Sequence, residues 1–401
     1  MRVAECKSTM PVYEGYSLIE GITYVMSGAL LRQLAKIRPG VLIDKGNLDD
    51  MLQYKVLHLA KEQPEQGKSV FLFRSGGIGD VMFMIPLIKR LRLDFNMKII
   101  VGTSPMYLDV FKGNPDVSEL VFMPFDISIL DRVDYYLTFE GIIEDKTKFS
   151  QTYAAIDLFL GAAGYDPMSV PFEDKIPDIH LTTEEQVWAQ NNFSRLPLNH
   201  AEPTIGVQLQ ASSPIRDFPL TKMVGTIRHY VEQDFNIFLF GGSRQDQVGE
   251  YIRETLRYKQ NVINLAKNGV SLRESILWAS KMSVILAPDS AFIHIAAGLD
   301  IPVVGLYGCF PSMLRMRYYR NAIGLDSNVA CAPSFIHGHL PCHKGDPSPC
   351  FSVISVEDII NAINHLLKIK KIDHLYPEYN EFVDGTPIKT MFSNNIEEVD
   401  G

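Results

Sequence analysis

The sequence predicts an α/β protein built from two doubly wound units in series. Short apolar strands alternate with helical segments from Ser69 onward, a polar stretch containing two prolines interrupts the pattern near residue 200, and the alternation restarts at Thr204. Strands that alternate with helices are typical of βαβ units and a mostly parallel sheet. With 401 residues the chain is long enough for two or three domains of about 150 residues each.

Residues 1–66 are predicted to form an N-terminal extension that packs on the first unit. Gly21–Ile37 has the pattern of a helix, and Arg38-Pro39-Gly40 after it is a turn. We expect a structural role for this segment, with oligomerisation or acceptor recognition as the alternatives.

The first α/β unit is predicted to cover residues 67–181. A glycine-rich turn follows its first strand, and a helix over Asp80–Leu93 follows that turn, with a further helical segment over Tyr107–Phe111. Its predicted strands are Val70–Phe73, Lys98–Gly102, Leu120–Met123 and Tyr135–Phe139.

Residues 182–203 are predicted to connect the two units, because they are polar, begin with a helical segment and end in Pro197, Asn199 and Pro203. The second α/β unit then covers residues 204–354, and a C-terminal helix that begins near Val356 and a polar tail cover residues 355–401. The predicted strands of the second unit are Thr204–Leu209, Ile237–Phe240, Val262–Leu265, Val284–Ala287 and Val303–Tyr307.

Composition excludes several classes of protein. A net charge of −9 disfavours a broad nucleic-acid surface, although Arg315, Arg317 and Arg320 form either a local basic groove or an ordinary solvated loop. No apolar run reaches 18 residues and the first residues lack the apolar core of a signal peptide, while five cysteines do not suggest a secreted disulfide framework. We therefore expect a cytoplasmic protein, with peripheral contact at the inner membrane left open.

A first motif, Arg74-Ser75-Gly76-Gly77-Ile78-Gly79-Asp80, lies between a strand and a helix. Glycines there permit a sharp turn and close approach of a ligand, and the helix N-terminus offers free N–H groups. The spacing departs from G-x-G-x-x-G, so the motif alone is a weak dinucleotide signal. Asp80 either faces ligands at the strand end or simply stabilises the first turn of its helix.

Two further motifs lie in the second unit. In Asp289-Ser290-Ala291-Phe292-Ile293-His294, either of the first two residues can cap a helix whose N-terminus would hold a diphosphate, and His294 lies one turn later. The alternative is a capped core helix with a buried histidine. In Ser212-Ser213-Pro214-Ile215-Arg216, two hydroxyls and a guanidinium are able to bind phosphate oxygens. The alternative there is an ordinary surface loop.

Together these motifs resemble those of the ADP-heptose–lipopolysaccharide heptosyltransferases, glycosyltransferase family nine, over roughly Val70–Leu367. Gly79-Asp80 with Pro86 resembles the family's glycine turn and helix, and Arg216-Asp217-Phe218-Pro219 stands where the family has Lys-x-Trp-Pro. Asp289–Ala297 resembles its Asp-Ser/Thr-Gly-x-x-His-x-Ala-Ala motif, and Ile301-Pro302 and Leu306-Tyr307-Gly308 fit the Pro and Phe-Gly that the family has after that motif. The autotransporter heptosyltransferases are one branch of this family.

The resemblance implies a GT-B fold, in which two Rossmann-like domains face each other across a cleft, and inverting transfer without a catalytic metal. Asp80 would be the general base, beside an acceptor loop containing Gly76, Gly77 and Gly79. Arg216 would stabilise the departing nucleotide diphosphate, so that it acts in catalysis as well as in binding. The residues that the resemblance assigns to the nucleotide-sugar donor, with ADP-heptose as the expected donor, are Ser212, Ser213, Arg216, Asn264, Leu265, Asp289, Ser290, Ala291 and His294.

Two departures from the family pattern bear on the donor. Ala291 replaces a glycine, which restricts close approach, and Arg216 replaces a lysine, which keeps the charge and changes its shape.

The cysteines pose a separate question. The segment from Cys331 to Cys350 resembles a cysteine-rich segment that holds structural iron in the autotransporter branch. Cys331, Cys342 and Cys350, with Cys309 or a histidine as fourth ligand, would make a tetrahedral iron or zinc site. Ser334 stands where a second cysteine of a C-x-x-C pair is expected, so plain reduced thiols are the alternative.

The leading functional hypothesis is transfer of a sugar, heptose by resemblance, to a hydroxyl of a lipopolysaccharide core or a protein. One alternative keeps the donor and changes the acceptor to a modified DNA base, which the acidic composition disfavours. Another is a catalytically silent nucleotide-sugar-binding protein, motivated by Ala291 and Ser334, and a GT-B epimerase is a weaker one. The sequence does not name the acceptor, because acceptor recognition lies in loops of the first unit that have no readable code, and an oligomer is compatible with the sequence.

Overall fold

The chain forms two compact units. The computed structural model describes residues 1–13, 15–48, 56–143, 153–332, 349–368, 382–383 and 386–387. Within these ranges the first unit comprises residues up to 142 and residues 159–170, and the second comprises 143, 153–158 and the residues from 171 onward. No helix in these ranges is both long and apolar enough to cross a membrane.

The N-terminal segment of the first unit is built on an antiparallel sheet. Its four strands have the order β5-β1-β4-β9, and a small hairpin of β2 and β3 precedes β4. The elements are β1 (Arg2–Cys6), β2 (Met10–Tyr13), β3 (Tyr16–Leu18), β4 (Thr23–Met26), α1 (Gly28–Ile37), β5 (Leu42–Asn47) and β9 (Phe125–Asp126).

The helix predicted over Gly21–Ile37 is therefore wrong in its first half. Thr23–Met26 pairs with β1, since its β-branched and aromatic side chains suit a half-buried strand. The helix begins only after Ser27, whose hydroxyl accepts a hydrogen bond of 3.1 Å from the amide of Leu30.

The N-terminal sheet shares one apolar core with the first parallel sheet. Val25 on β4 pairs with Phe125 on β9, and the ring of Phe125 lies 5.0 Å from that of Phe71. Val3, Val25, Phe71 and Tyr136 belong to the same buried cluster. The extension is thus held by burial of apolar surface and by the pairing of β4 with β9.

The parallel sheet of the first unit has the order β10-β6-β7-β8. The chain order of its strands reverses between β6 and β10, and ligands of open α/β sheets bind at such reversals. Its elements are β6 (Ser69–Phe73), α2 (Ile78–Met82), α3 (Met84–Phe95), β7 (Lys98–Thr103), β8 (Glu119–Phe122) and β10 (Tyr135–Thr138), and α4 (Ala155–Ala162) comes after them in the chain.

The second unit is built on a six-stranded parallel sheet with the order β13-β12-β11-β14-β15-β16. Counted along the chain this is the 3-2-1-4-5-6 order of doubly wound dinucleotide-binding folds. Its strands are β11 (Thr204–Gln208), β12 (Asn236–Phe240), β13 (Val262–Asn264), β14 (Val284–Pro288), β15 (Val303–Tyr307) and β16 (Ala322–Asp326). Its helices are α5 (Thr183–Ser194), α6 (Leu220–Val231), α7 (Asp246–Thr255), α8 (Leu272–Ala279), α9 (Ala291–Gly298), α10 (Met313–Met316) and α11 (Val356–Lys368).

The polar stretch 182–203 folds as part of the second unit. Thr182 and Glu185 form a capping box at the start of α5, and Arg273 at the start of α8 binds Glu185 at 2.5 Å. Trp188 and Trp278 pack edge to face between the same two helices, with ring centroids 5.7 Å apart. The helix after Val356 also belongs to this unit, because α11 packs on α6 and the hydroxyl of Tyr230 donates to the carbonyl of Ile360.

Candidate functional site

The reversal of strand order in the second unit lies between β11 and β14, and polar side chains come directly after both strands. Arg216 comes from the loop after β11 and Asp289 from the end of β14, and their side chains form an ion pair with a nitrogen–oxygen distance of 3.5 Å. Arg216 also donates 2.5 Å to the hydroxyl of Ser212. Sequence motifs that are more than seventy positions apart are thus brought together at the position where this fold binds ligands.

The loop that carries Arg216 is fixed from within. Pro214–Arg216 is a single 3-10 turn, and the carboxylate of Asp217 accepts from the amide of Ala211 at 2.7 Å and from the side-chain amide of Gln210 at 3.2 Å. Ser213 is buried and Ser212 is exposed. The Nε of Arg216 is buried and has no hydrogen-bond partner among the described residues, so the guanidinium retains a donor for a ligand.

Ser290 stands at the N-cap position of α9 but does not cap it with its side chain. Its backbone is extended and no side-chain cap hydrogen bond is formed. In the described part of the chain its hydroxyl is buried and unpaired. A side-chain cap at this helix was predicted from Asp289 or Ser290, and the structure instead leaves the Ser290 hydroxyl available at the helix N-terminus. Ala291 is the first residue of that helix.

His294 is 3% exposed and lies within the unit. Its Nδ1 is 2.6 Å from the hydroxyl of Tyr319, and burial lowers the pKa of His294 to about 3. The imidazole is therefore neutral at pH 7. This geometry corresponds to the buried core histidine considered as the alternative, and the donor-binding role assigned to His294 remains a hypothesis.

Asn264 and Leu265, assigned to the nucleoside, are both buried at the end of β13. The Asn264 amide nitrogen donates 3.0 Å to Glu250 and 3.2 Å to Asp246, and its oxygen accepts 3.1 Å from the amide of Ala266. The side chain of Asn264 thus fixes the end of β13 against α7, and a contact with a nucleoside stays a prediction.

In the first unit, the glycine turn places Asp80 against a buried arginine. Gly77 has a φ of 28°, which disfavours other residues, and a Cβ there would lie 3.1 Å from the Asp80 carboxylate. A Cβ on Gly76 would lie 3.2 Å from the Arg74 guanidinium. Arg74 donates 2.8 Å to Asp80 Oδ2. The small residues therefore make room for an ion pair at the start of α2.

Arg74 is part of the glycine motif but had no role predicted from the sequence, and Glu140 was not predicted as a site residue at all. Arg74 Nη1 donates 2.6 Å to the carbonyl of Phe139, and Glu140 accepts 2.5 Å from the amide of Ser75. Both contacts bridge the loops after β6 and β10, where the strand order reverses. The signal that could have found Glu140 is a carboxylate just past the end of a predicted strand, which parallel pairing places beside the glycine turn.

Comparison with known proteins identifies the type of protein. Residues 156–340 match the model of glycosyltransferase family 9 (heptosyltransferase). The chain is 24% identical over 300 residues to lipooligosaccharide heptosyltransferase 2 of Haemophilus influenzae, covering 71% of this chain and 79% of that protein. It is 26% identical over 135 residues to lipopolysaccharide heptosyltransferase 2 of Escherichia coli K12, covering 33% and 38%.

The chain is a glycosyltransferase family 9-like protein. It is accordingly a glycosyltransferase, and the resemblance stated from its motifs is confirmed.

Solved structures of family 9-like proteins share its fold. The ADP-heptose lipopolysaccharide heptosyltransferase II of E. coli superposes with a TM-score of 0.57 at 17% identity, covering 75% of this chain and 98% of that one. A family 9 glycosyltransferase from Veillonella parvula gives a TM-score of 0.61 at 17% identity, covering 76% and 98%. The predicted GT-B class, with two Rossmann-like α/β domains, is confirmed.

The cysteines of this family 9-like chain are only partly described. Cys309 and Cys350 are buried, Cys331 is half-buried, and Cys342 lies outside the described residues. Burial raises the pKa of the Cys309 thiol to about 12. Within the described ranges no three histidine, cysteine or acidic side chains are grouped as metal ligands. The four-cysteine metal site therefore stays a prediction.

Proposed function

We propose that this protein transfers heptose, with inversion, from ADP-heptose to a hydroxyl group on a lipopolysaccharide core or a protein. The proposal is supported by the family match over residues 156–340 and by the heptosyltransferases among its relatives. We place the reaction in the cytoplasm, with peripheral contact at the inner membrane where lipid-linked acceptors would be met.

The observation that carries the proposal is the Arg216–Asp289 pair at the strand-order reversal of the second unit. Two polar groups follow the strands that flank this reversal. Among the described residues, the Nε–H of Arg216 and the hydroxyl of Ser290 have no hydrogen-bond partner. Diphosphate oxygens satisfy both kinds of donor. Asp289 holds the guanidinium from one side and leaves its remaining donors for the ligand.

In the proposed reaction the acceptor oxygen attacks the anomeric carbon of the sugar from the side opposite the leaving group. The bond from that carbon to the diphosphate oxygen breaks, and its electron pair leaves with ADP. The acceptor's proton goes to the carboxylate of Asp80. Arg216, Ser212 and Ser290 stabilise the negative charge that grows on the diphosphate, so that charge neutralisation comes from side chains. No catalytic metal is part of this mechanism.

Asp80 suits the role of base because its orientation is fixed. One carboxylate oxygen is bound by Arg74, and the side chain is 29% exposed, which leaves it accessible to an acceptor hydroxyl. General base catalysis by a positioned side chain contributes roughly 10²- to 10⁴-fold.

A thermal-shift screen with ADP-, GDP- and UDP-sugars tests the donor. We expect ADP-heptose to raise the melting temperature most, since a ligand at 100 times its Kd stabilises the folded state by about 2.7 kcal/mol. Arg216→Ala should lose most of this shift, and Arg228→Ala, a change at an exposed position on α6, should keep it. A larger shift with UDP- or GDP-sugars would overturn ADP-heptose as the donor.

A further inference from the structure

We propose that Arg315 is a second diphosphate-binding cation of the donor site, acting beside Arg216. The inference rests on the proposed function and extends it to the segment between β15 and β16.

Arg315 is buried without an acidic partner among the described residues. It lies on α10 and is 9% exposed. Within the described part of the chain its side chain makes one hydrogen bond, a long one of 3.4 Å to the carbonyl of Leu314, and its guanidinium lies 4.5 Å from the centre of the Phe310 ring. A cation–π contact compensates only part of the solvation that a guanidinium loses on burial.

Two other buried cations of the same unit, Lys175 and Arg273, are paired with carboxylates. Lys175 binds Asp157 at 2.9 Å and the hydroxyl of Tyr318 at 3.0 Å, and Arg273 binds Glu185 at 2.5 Å. Arginine cannot lose its proton to escape an unfavourable site. A buried guanidinium without a carboxylate is therefore expected where an anionic ligand supplies the missing charge.

The fold places Arg315 next to the proposed donor site. Tyr319, four residues after Arg315 in the chain, binds His294 on α9 at 2.6 Å, and α9 is the helix that begins beside Asp289 and Ser290. Phe310 comes after β15, and the amide of Asp289 donates 3.0 Å to the carbonyl of Leu306 on that strand. The segment that bears Arg315 is thus hydrogen-bonded to α9 and follows β15, and these are the helix and the strand that position Asp289.

The charges near His294 point to an anion. Burial is the main cause of the low pKa of His294, Asp289 opposes it, and Arg315 and Arg216 lower it further, so all three charges act on one imidazole. With His294 neutral, the charges that act on it are two guanidinium groups and one carboxylate. A diphosphate balances this excess and has enough oxygens to bind both arginines.

The test compares full-length wild type with Arg315→Met, Arg315→Lys and the exposed control Arg228→Met. Melting temperatures are measured without ligand, and affinities are measured for ADP, inorganic pyrophosphate and adenosine. We expect Arg315→Met to melt at or above the wild-type temperature without ligand, because it removes an uncompensated buried charge and keeps a long apolar side chain. Its affinity for ADP and pyrophosphate should fall roughly ten- to hundredfold, with adenosine unchanged.

Arg315→Lys keeps the charge without the planar fork, so its affinity for ADP should lie between those of the wild type and Arg315→Met. Arg228→Met should match the wild type in every measurement. Unchanged ADP affinity in Arg315→Met, or equal losses for ADP and adenosine with a lower melting temperature, would overturn the inference. If Arg315→Met does not fold, the ratio of ADP to adenosine affinity in Arg315→Lys decides in the same way.

The two proposals fail differently. Wild type that binds pyrophosphate through Arg315 but binds no nucleoside diphosphate would overturn the proposed donor and keep the anion site. Tight ADP binding that is unchanged in the Arg315 variants would leave the proposed donor standing and overturn Arg315 as the second cation.

Discussion

Arg74 donates a hydrogen bond of 2.8 Å to Asp80 from a guanidinium that is 1% exposed. The same guanidinium donates to the carbonyl of Phe139, so it links the glycine turn after β6 to the end of β10. The proposed base is therefore held by a side chain that is itself fixed by the sheet, and Arg74 is a positioning residue.

Asp80→Asn should strongly reduce transfer and leave donor binding nearly unchanged. The amide keeps the size of the side chain and accepts from Arg74, but it cannot take a proton from an acceptor hydroxyl. Turnover should fall by roughly 10²- to 10⁴-fold. Turnover assays beside donor titrations measure both effects, with Asp131→Asn, an exposed residue of the same unit, as the control. Full turnover in Asp80→Asn would remove Asp80 from the mechanism.

Arg74→Met should lower kcat much more than it changes the KM for the donor. The substitution releases the Asp80 carboxylate, which Arg74 positions, and Arg74 contacts no residue assigned to the donor. Arg74→Lys should restore part of kcat, since an ammonium keeps the charge but lacks the planar fork that binds Asp80 and the Phe139 carbonyl together. Steady-state kinetics of both variants provide the measurement. Equal kcat in the lysine and methionine variants would argue against positioning by charge.

Arg216→Ala should weaken ADP binding by about 1.5–3 kcal/mol, the range for a hydrogen bond to a charged group. The loss should be smaller for adenosine, which lacks the diphosphate. Isothermal titration with both ligands measures the difference. If the two ligands lose affinity equally, Arg216 acts through the fold of its loop and not through phosphate.

The stability of the protein should decrease as the pH falls below about 6.5, in part because of His294. Its folded pKa is about 3 against an ordinary value of 6.5, so only the unfolded chain takes up the proton between these values. That uptake favours unfolding by at most about 1.4 kcal/mol for each pH unit. Denaturation curves between pH 5 and 7 should show a shallower pH dependence for His294→Asn than for wild type. The exposed His365→Asn serves as control, and equal slopes for His294→Asn and wild type would contradict the prediction.

The four-cysteine site predicts close to one equivalent of iron or zinc in purified protein. Cys331→Ser should lower the bound metal, whereas Cys6→Ser, a buried cysteine on β1 of the other unit, should not. Chelation should reduce the melting temperature more than the activity of each folded molecule. Elemental analysis of protein made with ample iron and zinc checks this, and substoichiometric metal would leave the cysteines as reduced thiols.

The parallel sheets were predictable because their signal is local. β15 covers Val303–Tyr307 as predicted, and the predicted strand Val70–Phe73 differs from β6 by one residue, since buried parallel strands are continuous apolar runs bounded by turns. Thr23–Met26 was missed because a run of four residues next to a helix is too short to show a period of its own. Its pairing with β1 is what makes it a strand.

The candidate site was predictable in its residue types but not in their contacts. Arg216 and Asp289 follow two strands that are neighbours only because of the sheet order. The resemblance of their motifs to a family predicted that both bind the same donor, and the structure shows their ion pair. The sequence motifs do not indicate in which direction a side chain points. Asn264 is turned to Asp246 and Glu250, and Arg315 is buried, because of neighbours that are distant in sequence.

The pairing of β4 with β9 has a consequence for how the first unit loses its structure. Phe125 is in contact with Phe71 and Phe73 of the parallel sheet, while its own strand pairs with Val25. Truncating the chain before β6 would expose these three aromatic rings and strip β9 of its partner strand. The N-terminal sheet and the parallel sheet should consequently melt in a single transition, as one cooperative foldon, and the segment is not a detachable appendage.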